Sequence, residues 1–281
     1  MSTVRRTALV LGATGELGSD IARRFVGLTS TLVLHGRDQE PLDRLRADLA
    51  GDSDCDILTL AADFASLEAT RDLVRRAGRT VGQLDYFVNA VDLLPPKNRL
   101  LTRDGNELTW QINYLGPAVV VLGLMPLLRN SSVGRIVHVV HDRQRPGVPK
   151  ATELGDGRRY HPVWQYAESK LALMMLSQTL AAKLRGTACR SLTIQSAGTE
   201  LSAAAAPLSR GLMVDAVLYA CTSANVPNGA YLRGRRVHPL PRAAAAAAAQ
   251  QRMWRATCRT LALDLHTGWP LRSPDLADQS P

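Results

Sequence analysis

Short apolar runs alternate with helix-length segments along almost the whole chain, and this alternation limits the fold more than any other feature of the sequence. Strands are predicted at 7–11, 31–34, 57–61, 86–89, 135–140, 191–194 and 230–232, with helices at 17–25, 41–50, 66–76, 107–129, 166–184 and 212–223. Pro41 falls in the first turn of its helix and Gly51 just past the end, the positions each favours. Parallel strands cannot be joined by a hairpin and need a crossover, so strict alternation predicts an α/β fold with a parallel sheet between two layers of helices.

The chain has 281 residues, 46% hydrophobic and 21% charged, which is enough apolar material to bury a large core. That profile excludes a disordered chain, a collagen-like fibre and a disulfide scaffold. Cys55, Cys189, Cys221 and Cys258 are far apart with no metal-ligand spacing, so they read as buried thiols in a reducing compartment, with no metal site and a cytoplasmic location expected. The net charge of +9 comes from 34 basic residues, of which only 97, 150, 170 and 183 are Lys. The Arg residues are scattered without aromatic interleaving, so no nucleic-acid partner is predicted. The stretch 108–128 is uncharged and long enough to cross a bilayer, but it contains Gln111, Asn113, Pro117 and Pro126 and reads as a buried helix. The Pro- and Gly-rich segments 94–105 and 144–162 interrupt one continuing pattern and read as loops of a single domain over 1–240. A C-terminal helix is expected within 241–268, where 250–265 has helical apolar spacing, followed by a frayed tail at 269–281.

The first strand ends in Gly12-Ala13-Thr14-Gly15-Glu16-Leu17-Gly18 and opens a helix. Glycines there let the backbone approach a pyrophosphate and aim helix N-terminal N–H groups at its charge; the bland alternative is an ordinary tight turn. The second strand ends in His35-Gly36-Arg37-Asp38, where an NAD site would carry a carboxylate for the ribose. A guanidinium suits a phosphate instead, which favours NADP(H), unless Arg37 and Asp38 are only solvated loop charges. Tyr166 and Lys170 are four apart at the start of a helix, hence on one face. An ammonium there would favour the phenolate and tune the phenol to give a proton to a carbonyl oxygen.

These stretches, with 84–90, 101–107, 111–117, 134–137 and 251–254, resemble the short-chain dehydrogenase/reductase family, closest to its retinol dehydrogenase-like branch. The resemblance implies a Rossmann-type doubly wound domain and hydride transfer with NADP(H). It places Gly12, Thr14, Gly15, Glu16, Leu17, Gly18, Arg37, Asp63, Phe64, Asn89, Lys170 and Gly198 around the cofactor. Tyr166 matches the family acid/base, Lys170 its partner, and Asn113 the residue that kinks the long helix. Asp63 matches a residue that contacts adenine, with helix capping as the alternative, although Ser66 could also cap.

The sequence departs from the family at four places. His141 stands where the substrate-orienting Ser is expected, as a donor to the carbonyl, a second acid/base, or a filler at a site without carbonyl reduction. Glu16 replaces a glycine and sets a carboxylate near the pyrophosphate. The Asn-Asn-Ala-Gly motif reads Asn89-Ala90-Val91-Asp92, which is expected to crowd the segment beneath the adenosine, and 196–199 replaces the Pro-Gly pair at the nicotinamide. His35, His161 and His238 read as structural or solvent-facing, and Trp164 and Met213 as packing residues or pocket walls. The implied activity is NADPH-dependent reduction of a hydrophobic ketone or aldehyde, and the short, Ala-rich segment 199–213 suggests a pocket open enough to admit a bulky or polycyclic one. A non-redox proton-transfer enzyme using Tyr166 and His141, or a catalytically silent homologue, are the alternatives. Because the helices at 107–129 and 166–184 are apolar around their circumference, a homodimer through them is expected, as in many relatives.

Overall fold

The computed structural model describes residues 6–51, 54–141, 160–196 and 206–264. Eight strands form one sheet: β1 (Thr7–Leu11), β2 (Thr31–Gly36), β3 (Asp56–Ala61), β4 (Tyr86–Asn89), β5 (Arg135–His141), β6 (Arg190–Ser196), β7 (Tyr231–Arg233) and β8 (Arg236–His238). Their order is β3-β2-β1-β4-β5-β6-β7-β8. All neighbours are parallel except β7 and β8, which form an antiparallel hairpin at the edge. The sequence reading has no counterpart of β8. The strand order reverses between β1 and β4, and in such sheets a crevice opens at the carboxyl ends of the two strands. The sheet is therefore Rossmann-type and doubly wound, as the alternation predicts.

The helices are α1 (Glu16–Val26), α2 (Gln39–Leu49), α3 (Leu67–Thr80), α4 (Leu108–Trp110), a π-helical turn (Gln111–Leu115), α5 (Gly116–Gly123), α6 (Met125–Arg129), α7 (Pro162–Lys183), α8 (Ala206–Thr222), α9 (Arg242–Ala245) and α10 (Ala247–Leu261). One face of the sheet packs against α1, α2 and α8 through residues such as Ile21, Phe25, Leu42 and Val217. The other face packs against α3, α4–α6 and α7, and α9 and α10 join the same apolar cluster through Ala244, Met253, Trp254 and Cys258. At the amino edge of the sheet, the buried Asp85 carboxylate accepts from Thr7 N–H at 2.8 Å, Gln83 at 2.9 Å and Ser131 at 2.6 Å. A buried carboxylate with this many donors fixes the ends of β1, β4 and β5 relative to one another.

Several predicted elements are corrected. The helix expected over 107–129 is not continuous: a π-helical turn interrupts it at Gln111–Leu115, and it breaks again at Leu124 before Pro126. An extra residue per turn widens the backbone ring there, and the buried Gln111 side chain holds the turn. It donates to Phe64 C=O and Asp104 and accepts from Thr102 and Asn106. The following helices start earlier than predicted, α7 at Pro162 and α8 at Ala206, and α10 ends at Leu261 on a left-handed Ala262. Among the described residues no helix is long and apolar enough to cross a membrane. Cys189, Cys221 and Cys258 are buried, whereas Cys55 is partly exposed, contrary to expectation. Burial pushes the Cys189 and Cys221 thiols up to about 12.

The premise for a dimer also changes. Leu171 to Ser177 of α7 and Pro117 to Leu122 of α5 are buried within a single chain. The sheet covers one side of α7, and α10 covers another, with Lys183 Nζ 4.8 Å from the centre of the Trp254 ring and the Tyr114 hydroxyl bonded to Thr257. The uncharged circumference of α7 is thus covered by the sheet and the chain's own C-terminal helix, while α5 packs on α3, and the burial of neither requires a second subunit.

Candidate active site

A cavity of about 570 Å³ opens at the carboxyl ends of β1 and β4. One end is the β1–α1 turn. Gly12 has φ +76°, and a Cβ there would lie 3.1 Å from the Ala90 carbonyl; a Cβ on Gly18 would lie 2.1 Å from the Gly12 oxygen. The turn packs too closely for side chains at either position. No side chain caps α1, whose N-terminus follows Gly15. Its first N–H groups therefore face the cavity as an anion site, the arrangement a pyrophosphate uses.

His35 supports this turn from beneath. It is buried, accepts from Gly12 N–H at 3.4 Å, donates to Ala62 C=O at 3.1 Å and stacks on Phe64 at 4.3 Å. Those partners assign the proton to Nε2, and burial lowers its pKa to about 4, so the ring is neutral. Its structural reading is therefore right. Gly36 follows, where a Cβ would lie 2.9 Å from Thr14. Arg37 and Asp38 form an exposed pair at 2.9 Å, with Arg37 on the cavity wall. Asp63 also lines the cavity and accepts from Ala65 N–H at 2.9 Å, while Ser66 caps α3 by accepting from Ala69 N–H at 3.2 Å. Capping therefore falls to Ser66 and leaves the Asp63 carboxylate at the rim.

Glu16 does not stand alone. Arg210 from α8 donates to it at 2.5 Å and to Asp20 at 3.1 Å, which neutralises the carboxylate the sequence sets near the anion site. Arg210 and Met213 both line the cavity. The sequence reading missed Arg210, which lies 194 residues from its partner with no local signal. Trp164 instead stacks on His161 at 4.8 Å and is largely exposed.

Asp92 and Lys170 line the other end of the cavity, with the buried Tyr166 against Asp92. One turn of α7 sets the Lys170 ammonium 5.5 Å from the centre of the Tyr166 ring. Lys170, only 2% exposed, donates to Val91 C=O at 3.0 Å and pairs with Asp92 Oδ1 at 2.9 Å. The Tyr166 hydroxyl donates to Asp92 Oδ2 at 3.1 Å. The expectation for Asp92 is therefore corrected: it does not merely crowd the adenosine side, but places a carboxylate against both residues of the tyrosine–lysine pair. The cue was in the sequence, a charge in place of glycine after β4, but Tyr166 lies 74 positions away.

Asn113 sits at the centre of the π-helical turn, fully buried. Its amide accepts from Leu93 N–H at 2.7 Å, donates to Leu93 C=O at 2.9 Å and donates to Ser169 Oγ at 3.4 Å. It thereby clamps the residue after Asp92 to the helix that carries Tyr166. Asn89 holds the same segment from the other side, accepting from Val91 N–H at 3.1 Å with its amide 3.3 Å from His138 Nδ1. His138 is buried, and desolvation, aided by the Lys170 charge, lowers its pKa to about 3. The His141 backbone ends β5 opposite Ser196, but its side chain lies outside the described residues, as does Gly198.

The residues present suit a dinucleotide at the glycine turn, by the uncapped helix N-terminus and by the contacts that exclude a Cβ. A family model described as short chain dehydrogenase matches residues 6–211. The chain is 26% identical to human retinol dehydrogenase 14 over 196 residues, 65% of this chain and 58% of that protein. It is 33% identical to mouse polyprenol dehydrogenase over 184 residues, 62% of this chain and 53% of that protein. It thus spans little more than half the length of these relatives. A crystal structure of an uncharacterised protein from Mycobacterium paratuberculosis covers 94% of this chain and 96% of its own, with a TM-score of 0.76 and 24% identity. A short chain dehydrogenase from Shigella flexneri complexed with NADP covers 83% of this chain and 99% of its own, with a TM-score of 0.65 and 19% identity. These two structures match the fold, and the family match over 6–211 adds the sequence: the chain belongs to the short chain dehydrogenase family, as a retinol dehydrogenase-like member.

Proposed function

We propose that the protein is an NADP(H)-dependent oxidoreductase that interconverts a hydrophobic ketone or aldehyde and its alcohol. The observation that carries this reading is that the uncapped N-terminus of α1 lines the same cavity as Lys170 and as Asp92, whose carboxylate accepts from the Tyr166 hydroxyl. The dinucleotide supplies or accepts hydride when bound. Gly12, Thr14, Gly15, Leu17 and Gly18 would hold its pyrophosphate, Arg37 a 2′-phosphate, and Asp63 and Phe64 the adenine side. Tyr166 then moves the proton at the substrate oxygen, and Lys170 holds the phenol in place and favours its anion. Ile112, Val139 and Met213 supply apolar wall, and the retinol and polyprenol named for the relatives support a hydrophobic substrate.

Titration of the purified protein with NADPH and NADH, followed by nicotinamide fluorescence, tests the reading. Saturable binding with NADPH preferred is expected, and no binding of either would refute it. Tyr166→Phe should abolish turnover while leaving NADPH binding intact. The Asp92 carboxylate favours one second reading, a proton-transfer enzyme that performs dehydration or isomerisation without redox change. Product formed with no change in nicotinamide absorbance would establish that alternative.

A further inference from the structure

We propose that Asp92 is an additional catalytic residue, the group that exchanges a proton with Tyr166; this rests on the oxidoreductase reading above. The carboxylate meets the phenol directly, with Oδ2 accepting from the Tyr166 hydroxyl at 3.1 Å and Oδ1 2.9 Å from Lys170 Nζ. Lys170 is buried while the Asp92 side chain is 38% exposed, so Asp92 joins a buried proton donor to solvent. Its position is fixed from both sides, by the Asn89 bond to Val91 N–H and by the Asn113 clamp on Leu93. From the elements around it, Tyr166 and Lys170 face it from α7, and His138 lies behind Lys170 on β5 and is neutral. Among the described residues, the other charged ones lining the cavity are Glu16, Arg37, Asp63 and Arg210, of which Glu16 and Arg210 are paired with each other and Arg37 with Asp38.

The proton balance is explicit. In alcohol oxidation the substrate O–H bond breaks and its proton passes to the Tyr166 oxygen, while the Tyr166 O–H bond breaks and its proton passes to Asp92. The electron pair left on the substrate oxygen forms the carbonyl as hydride leaves for the oxidised nicotinamide, and the Asp92 carboxylic acid returns its proton to water. Reduction runs the same path backwards. With the carboxylate present, the phenol need not ionise before oxidation begins. With Lys170 alone, the reactive form is the phenolate. The carboxylate therefore moves the acid-side limit of alcohol oxidation from the phenol range to the carboxylate range.

Two measurements test this on the full chain. Ultraviolet titration of Tyr166, taken as the difference between each protein and the same protein carrying Tyr166→Phe, needs neither cofactor nor substrate. Asp92→Asn should lower the pH of phenol ionisation by about one to two units, because the carboxylate that opposes the phenolate is gone. Asp92→Glu should restore the original curve, and superimposable curves for the original chain and Asp92→Asn would overturn the proposal. The second measurement is the pH profile of retinol oxidation with NADP. The original chain and Asp92→Glu should hold their rate down to the carboxylate range, whereas Asp92→Asn should lose on the order of a hundredfold at neutral pH and recover in alkali. A rate for Asp92→Gly at neutral pH equal to or above that of the original chain would show Asp92 to be an obstruction and overturn the relay. Loss of NADPH fluorescence binding in the original chain would refute the oxidoreductase reading, while the phenol titration would still report on the Tyr166–Asp92 pair.

Discussion

Asn113→Ala tests the clamp that sets the site's geometry. The amide makes three hydrogen bonds, two of them a reciprocal pair with Leu93 at 2.7 and 2.9 Å, and it is fully buried. Each such bond is worth about 1 kcal/mol net, so the upper figure is about 3 kcal/mol. Leu93 is only half-buried, so water can reach its freed N–H and C=O groups, and a loss of about 2 to 3 kcal/mol is expected. For a chain of this size that corresponds to a fall of roughly 5–10 °C in Tm. Urea unfolding followed by circular dichroism at unchanged m-value is the assay. Asn113→Asp separates the clamp from simple cavity formation, because it keeps the acceptor for Leu93 N–H but sets a carboxylate against Leu93 C=O. It should lose at least as much stability as Asn113→Ala. A loss below about 0.5 kcal/mol for both variants would refute the reasoning.

Three further outcomes follow from the structure. Gly18→Ala should unfold at clearly lower urea and lose NADPH binding, since its Cβ would lie 2.1 Å from a backbone oxygen; an unchanged midpoint would contradict the packing of the turn. Arg210→Ala should cost less than about 1 kcal/mol of stability, because its partners are exposed, yet weaken NADPH about tenfold by leaving Glu16 unneutralised. Adding Glu16→Gln should restore the affinity, and failure to do so would place the effect elsewhere. The folded-state pKa values of His35 and His138, about 4 and about 3, lie below the unfolded value of 6.5, so the unfolded chain binds more protons across that interval. Stability is then fully present above pH 6.5 and falls as pH drops toward those values, by about 1.4 kcal/mol per pH unit for each histidine. His138→Met should flatten the urea midpoint against pH between pH 6 and 4, and an unaltered slope would refute the assignment.

The sheet and the β1–α1 turn were legible because their signals are local: apolar runs of strand length, and glycines at a junction that admits no Cβ. The Tyr166–Lys170 pair was legible for the same reason, since helix periodicity alone sets it on one face. What escaped depends on distant partners or on very short elements. Strand β8, three residues just past the Gly234 turn, is too short for alternation to register. The π-helical turn is held by a Gln111 network whose members Phe64, Thr102, Asp104 and Asn106 lie outside the helix. Asp92 could be seen as a charge out of place, but its role required knowing that β4 ends beside α7. The uncharged helices are buried, as the sequence implies, but α7 is covered by α10 and α5 by α3 of the same chain, elements that composition does not distinguish from a second copy.

The place of α10 has a consequence for biogenesis. It is the last described helix to be synthesised, and it closes an apolar surface whose other parts, α4, the π-helical turn and α7, are complete long before it. Until residues 247–261 emerge, the nascent chain carries that surface open to solvent, when the glycine turn and the Tyr166–Lys170 pair have already been made. A chain stopped at residue 246 would keep every element of the cavity and still present a hydrophobic patch that invites aggregation or capture by chaperones.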